Sequence, residues 1–206
     1  MMNKLVFDED KHEYTIGGRR IPSVTEIVAP ILSDSYKVLS PQIMQNAARR
    51  GTRVHEITQL IDYGCDIDEL EIEPELAGYI NAYMKFLRTY NPEWDAIEQP
   101  VHYCEEYAGT IDRAGLIGGE QWIVDFKTVS SMDRAHRIAL TAQLSGYQKA
   151  YAQGRRMPRR AGLLLKSDGS FTLYKAADIE RKLMFNGQDL FNSLKEICYL
   201  KGGYEI

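Results

Sequence analysis

The chain has 206 residues, 44% of them hydrophobic and 26% charged, which is enough to bury one substantial core and argues for one domain or one decorated domain. Twenty-five basic residues against 29 acidic ones leave a formal net charge of −4, which excludes a polybasic protein that grips nucleic acid through bulk charge alone. Three scattered cysteines (Cys65, Cys104, Cys198) argue against a disulfide framework or a thiolate-rich metal cluster. The opening MMNKLVFDEDK is charged where a signal peptide would be apolar, and no run approaches the ~18 apolar residues of a membrane span. A reduced, cytoplasmic protein with no membrane partner is expected.

The opening KLVFDEDKHEYTIGGRRIPSV alternates short β-prone runs with turn residues and predicts two small strands, then a helix starting near Pro22 or Ser23. Ser40 and Pro41 supply an N-cap and a first helical residue. The segment behind them recurs with Ile43, Ala47, Val54, Ile57 and Ile61 on one face, a predicted core contact. A second long helix is expected from Pro74 to Asn91-Pro92, with Leu76, Tyr79, Ile80, Tyr83, Phe86, Leu87 and Tyr90 as its stripe. AIEQPVHY, GTIDRAGLI and QWIVDFKT then read as an antiparallel meander, followed by a helix over about 131–153 and a basic loop RRMPRR. AGLLLK and FTLYKA, joined through SDGS, form another hairpin, and DIERKLMFNGQDLFNSLKEICYL is predicted as one closing helix. The order implies an α/β fold: a central mixed sheet flanked by helices, with an N-terminal β-hairpin.

In WIVDFKT, Trp122, Val124 and Phe126 point to one side of the strand while Ile123, Asp125 and Lys127 point to the other. Asp112 on the preceding strand is in phase with Thr110, Ala114 and Leu116. If Gly118-Gly119 is a two-residue loop, Asp112 lies directly opposite Asp125, with Cβ atoms roughly 5 Å apart and Lys127 one step along. A four-residue loop sets Asp112 opposite Lys127, and a three-residue loop breaks the cluster. Facing carboxylates repel, so they call for a shared proton or a cation, and a hard ion such as Mg²⁺ or Mn²⁺ suits oxygen ligands. A solvated charged face with an Asp–Lys cross-pair fits the same residues.

Two further patterns stand nearby. In GTRVHE, His55 falls one helical turn after Gly51, so its imidazole is expected to lean over the bare glycine. A boundary histidine would look the same. In TAQLSGYQKAY, Gln143 and Tyr147 stack on one helical face, as a polar edge beside a packed tyrosine also would.

Taken in order, Gly51 to His55, Gly109 to Asp112, Asp125 to Lys127 and Gln143 to Tyr147 resemble the GxxxH, GxxD, (D/E)xK and QxxxY motifs of the RecB-like branch of the PD-(D/E)xK nuclease superfamily. Each motif fixes only two residues, but all four match on the right predicted elements. The opening HEYTIGGRRIPSVTEIV is similar to that of phage and prophage exonucleases of this kind, so the resemblance covers nearly the whole chain. It implies one nuclease domain over 1–206 with a restriction-endonuclease-like core over about 40–175, the N-terminal hairpin and C-terminal helix being decorations. It further implies Mg²⁺ or Mn²⁺ held by His55, Asp112, Asp125 and the carbonyl of Phe126. Asp112, Asp125 and Lys127 would be the catalytic set, with Lys127 handling the attacking water, and Gln143 and Tyr147 would brace the site and touch the DNA backbone. Some relatives use a glutamate of the preceding strand for a second metal; Glu98 stands there, but its phase beside Pro100 leaves it unassigned. The four flanking cysteines that hold an iron–sulfur cluster in other relatives are missing, so no such cluster is expected.

Arg155, Arg156, Arg159 and Arg160 crowd a short loop, and Arg155 and Arg156 are expected to meet phosphates, though a solvated loop explains them equally. Tyr36, Tyr63 and Tyr107 fall in expected loops where a base could stack; His12, His102 and His136 show no ligand spacing. The function expected is a metal-dependent DNA exonuclease of recombination or repair, with DNA as its partner and a single-strand-binding or annealing protein as the associated class. An endonuclease of the same fold, or a non-catalytic DNA-binding protein that keeps it, are the alternatives.

Overall fold

The computed structural model describes residues 4–8, 11, 13–33, 37, 40–202 and 204. Three short strands open it, β1 (Leu5–Asp8), β2 (Glu13–Ile16) and β3 (Arg19–Ile21), in an antiparallel sheet where two strands were expected. Helix α1 (Val24–Val28) follows, with Ser23 and Glu26 forming a reciprocal capping box. Helix α2 (Pro41–Asp62) starts where Ser40 and Pro41 predict, the Ser40 hydroxyl accepting from the Ile43 N–H. Helix α3 (Ala77–Tyr90) begins after a turn at Pro74 and stops at Asn91, which takes the left-handed conformation.

The main sheet has five strands in the order β4 (Glu93–Tyr103), β5 (Tyr107–Ile117), β6 (Glu120–Lys127), β7 (Arg159–Leu165) and β8 (Phe171–Lys175). All neighbours are antiparallel except β6 and β7, which are parallel because helix α4 (Arg134–Ala152) crosses over between them. Alternating side chains divide the core. Trp122, Val124 and Phe126 pack with α2 and α3 on one face, while Ile123 and Ala114 pack with α1 and α4 on the other. With helices on both faces, Asp125 is only 2% exposed, so the solvated charged face considered above does not form.

Three expectations change. The closing segment is two helices, α5 (Ala176–Leu183) and α6 (Gly187–Gly202), because Met184 turns left-handed and Asn186 recaps the chain through its Oδ1. The expected core face of α2 holds at Val54 and Ile57, but Ile43 is 56% exposed, since the N-terminal half of that helix outruns the sheet. Tyr107 lies buried in β5 rather than in a loop, with its hydroxyl donated to the Gly146 carbonyl. Tyr63 caps α2 in the open, whereas Tyr36 and His12 lie outside the described residues. Among the described residues, no helix is long and apolar enough to cross a membrane.

Candidate functional site

Gly118 and Gly119 both take positive φ, and the two-residue loop they form fixes the register from Ile117 opposite Glu120 to Arg113 opposite Val124. One step further the ladder opens. There the Asp112 carboxylate, in place of a backbone carbonyl, accepts the Phe126 N–H at 2.5 Å. On the other flank, β4 pairs through Ile97–Arg113 and Gln99–Ile111 and skips the facing residues Glu98 and Asp112. Glu98 sits at φ 45°, a conformation that costs a non-glycine residue on the order of 1 kcal/mol and persists where the surroundings impose it. Glu98, Asp112 and Asp125 thus stand at one level on three adjacent strands.

Cations answer them from three directions. His55 on α2 brings Nδ1 to 3.1 Å from Glu98 Oε1 and 3.8 Å from Asp112 Oδ1. Lys127 Nζ lies 2.7 Å from Asp125 Oδ2. Arg113, fully buried, reaches Glu98 Oε1 at 3.0 Å and Asp62 Oδ2 at 2.5 Å. Burial pulls the His55 imidazole down, but the Asp112 and Glu98 carboxylates outweigh it and push it up to about 9. Burial raises Asp125 and Asp112 above the usual carboxylate range, although Lys127 opposes the shift in Asp125 and His55 opposes it in Asp112. Three close acids in a nearly dry place hold their charges only with help, and an ion is one form of it.

His55, Glu98 and Asp112 each offer a ligand atom within 4.8 Å of the others. One imidazole and two carboxylates are donor types that would suit Mn²⁺ or Mg²⁺. Glu98 stands in this group beside His55 and Asp112, two of the residues expected to hold the ion; Asp125 pairs with Lys127, and the Phe126 amide bonds Asp112.

These groups line a cleft of about 670 Å³, walled by α2 on one side and by the N-terminal sheet on the other. Gln143 and Tyr147 close it, joined by a bond of 3.3 Å from Gln143 Nε2 to the Tyr147 hydroxyl. Burial, then the Asp125 and Asp112 charges, hold Tyr147 as a neutral phenol. Gly109 has a packing reason: a Cβ there would stand 2.6 Å from Tyr147 Cε1, so the glycine of one motif makes room for the tyrosine of another.

Gly51 does not shelter the imidazole, as its spacing from His55 suggested. A Cβ there would meet only Thr128 Oγ1, at 3.8 Å, and the bare backbone faces the cleft. Gly51→Ala is therefore expected to stabilise the protein by up to ~1 kcal/mol through helix propensity, seen as a higher melting temperature. A drop in melting temperature would mean that the fold itself needs the glycine.

Arg155 and Arg156 are exposed and do not line the cleft. They precede Arg159, which pairs with Trp122, five residues or about 17 Å along β6 from Lys127. Arg159 bonds Glu120, and Arg160 bonds Glu180. Sequence reasoning left Glu98 unassigned and missed Arg113 and Asp62. The available signal for Arg113 was its alternation with Ile111, Gly115 and Ile117, a lone charge among buried positions.

No family model and no curated protein matches the chain. A solved structure described as "Crystal structure of SSO0001" is 13% identical, with the match covering 77% of this chain and 82% of that one at a TM-score of 0.32. A likeness so loose carries no argument.

Proposed function

We propose that the protein is a divalent-metal-dependent deoxyribonuclease that hydrolyses phosphodiester bonds, most simply as an exonuclease. The observation that supports this is the convergence of His55, Glu98, Asp112, Asp125 and Lys127, from one helix and three strands, on the floor of one cleft. A bound Mg²⁺ or Mn²⁺ would supply Lewis acidity to the phosphoryl oxygens and lower the pKa of a water. His55, Glu98 and Asp112 would hold the ion. Asp125 fixes the Lys127 ammonium, which orients the attacking water and offsets the charge that develops on phosphorus. Gln143 and the Tyr147 phenol, bonded to each other in the cleft lining, would brace the site and meet the DNA backbone. As water oxygen bonds to phosphorus, one bridging oxygen leaves and takes up a proton.

End-labelled linear duplex, linear single strands and closed circles, each incubated with Mn²⁺, Mg²⁺ or EDTA, test this. Linear DNA is expected to shorten with either metal and to survive in EDTA. Mn²⁺ should serve at least as well as Mg²⁺, because imidazole is a softer ligand than oxygen. Intact circles mark an exonuclease and cut circles an endonuclease; no product from any substrate in either metal would overturn the proposal.

A further inference from the structure

The N-terminal sheet forms a wall of the same cleft. Phe7 and Tyr14 face each other across β1 and β2, their rings stacked with centroids 4.6 Å apart and planes 20° from parallel. Both line the cleft with His55, Asp112, Asp125 and Lys127. Tyr14 is 2% exposed and tied by its hydroxyl to Thr110 Oγ1 at 2.8 Å, so the aromatic pair is fastened to β5. Thr110 precedes Asp112 by two residues on the same face of that strand, a separation of about 6.8 Å. That is roughly twice the ~3.4 Å rise between stacked bases. The hydroxyl end of the ring pair is thus anchored about two base steps along β5 from the carboxylates that a phosphate would meet.

Charge points the same way. His55 and Lys127 are the basic residues of the cleft lining, against Glu56, Glu98, Asp112 and Asp125. A divalent ion would at most balance that acidic lining, so contacts that ignore charge have to add to the grip on a polyanion. Access narrows the substrate as well. Asp112 is 9% exposed and Asp125 2%, and among the described residues the cleft above them runs between α2 and the N-terminal sheet. The volume matches the roughly 300–1,000 Å³ of small-ligand sites. One strand can thread such a space without its complement.

Building on the nuclease reading, we infer that the Phe7–Tyr14 pair is a stacking subsite for a nucleobase next to the cleaved phosphate, and that the strand in the cleft is single-stranded DNA. What was expected to be a decoration becomes half of the substrate channel.

The test uses the full chain, Mn²⁺, and a hydrolysis-resistant phosphorothioate single strand carrying 2-aminopurine. Binding is expected to quench the fluorophore, with a shallow dependence of affinity on salt. Phe7→Ala should abolish the quenching and weaken binding roughly five- to 150-fold, the equivalent of ~1–3 kcal/mol for one stacked base. Phe7→Leu keeps an apolar filler without a π-face and should behave alike, while Phe7→Trp should retain both signals. Phe7→Ala and Phe7→Leu binding and quenching as the wild type does would overturn the subsite, as would tighter binding of the matching blunt duplex for the single-strand assignment. The two proposals fail separately. Quenching that depends on Phe7, without cleavage of unmodified DNA in either metal, keeps the subsite and sinks the nuclease. Cleavage indifferent to Phe7 does the reverse.

Discussion

Lys127→Ala is expected to slow metal-dependent DNA cleavage by roughly 10²–10³-fold, the range for removing one group that offsets charge in the transition state, while metal affinity stays close to that of the wild type. The distinction follows from where the ammonium sits. Lys127 Nζ is 2.7 Å from Asp125, whereas the atoms that would hold the ion belong to His55, Glu98 and Asp112. Removing the lysine leaves those three in place. Asp112→Asn makes the complementary case: the amide oxygen still accepts the Phe126 N–H, but a charge is gone from the donor set, so Mn²⁺ affinity and cleavage should fall together. Calorimetric titration with Mn²⁺ beside a single-turnover cleavage assay reads both quantities. Wild-type cleavage by Lys127→Ala would remove that residue from the chemistry. Loss of Mn²⁺ binding by Lys127→Ala would mean that it shapes the site rather than serving it.

The parts of the site legible in the sequence are those whose local geometry is fixed by a few residues. Gly118-Gly119 dictates a two-residue loop, and that loop alone sets Asp112 and Asp125 at the same level with Lys127 beyond. Ser40-Pro41 starts α2, and counting turns along it delivers His55. Glu98 escaped because counting fails in β4. The register shifts between Trp94 and Ala96, and Glu98 itself is left-handed, so a period of two from Pro100 says nothing about where its carboxylate goes. The break after Leu183 escaped for a related reason. Met184 is an ordinary helix former, and its left-handed turn is signalled only two residues later by Asn186-Gly187. Ile43 shows a different limit: an apolar stripe names a helix face without saying how far the neighbouring element extends. The second network left one trace in the sequence, Arg113 in alternation with Ile111, Gly115 and Ile117 where a strand residue is ordinarily apolar, but that trace does not name its distant partner Asp62.

That network carries the other large effect. Arg113→Leu is expected to destabilise the protein by roughly 3–5 kcal/mol, the cost of removing one member of a buried ion cluster. Arg113 is fully buried, donates to Asp62 at 2.5 Å, to Thr58 Oγ1 at 3.3 Å and to the Asp112 carbonyl at 2.6 Å, and lies 5.0 Å above the Phe126 ring. Asp62 also accepts from the Tyr83 hydroxyl at 2.6 Å, so the chain of bonds runs from α3 through α2 into β5. Without the guanidinium, buried Asp62 loses its counter-charge and Glu98 keeps only that of His55. Against a typical total of about 5–15 kcal/mol, that loss is large enough to read directly from urea denaturation. Adding Asp62→Leu should recover part of it, because the second change removes the stranded carboxylate and couples to the first. A loss below about 1 kcal/mol would show that the cluster contributes little to folding. Arg113 also holds Glu98 at 3.0 Å, and Glu98 offers one of the three atoms that would hold the proposed ion. Measured well below its unfolding transition, Arg113→Leu should therefore bind Mn²⁺ about 10–100-fold more weakly, the usual penalty for losing a partner behind a ligand. Unchanged Mn²⁺ affinity in the folded variant would confine Arg113 to stability and leave Glu98 to find its position unaided.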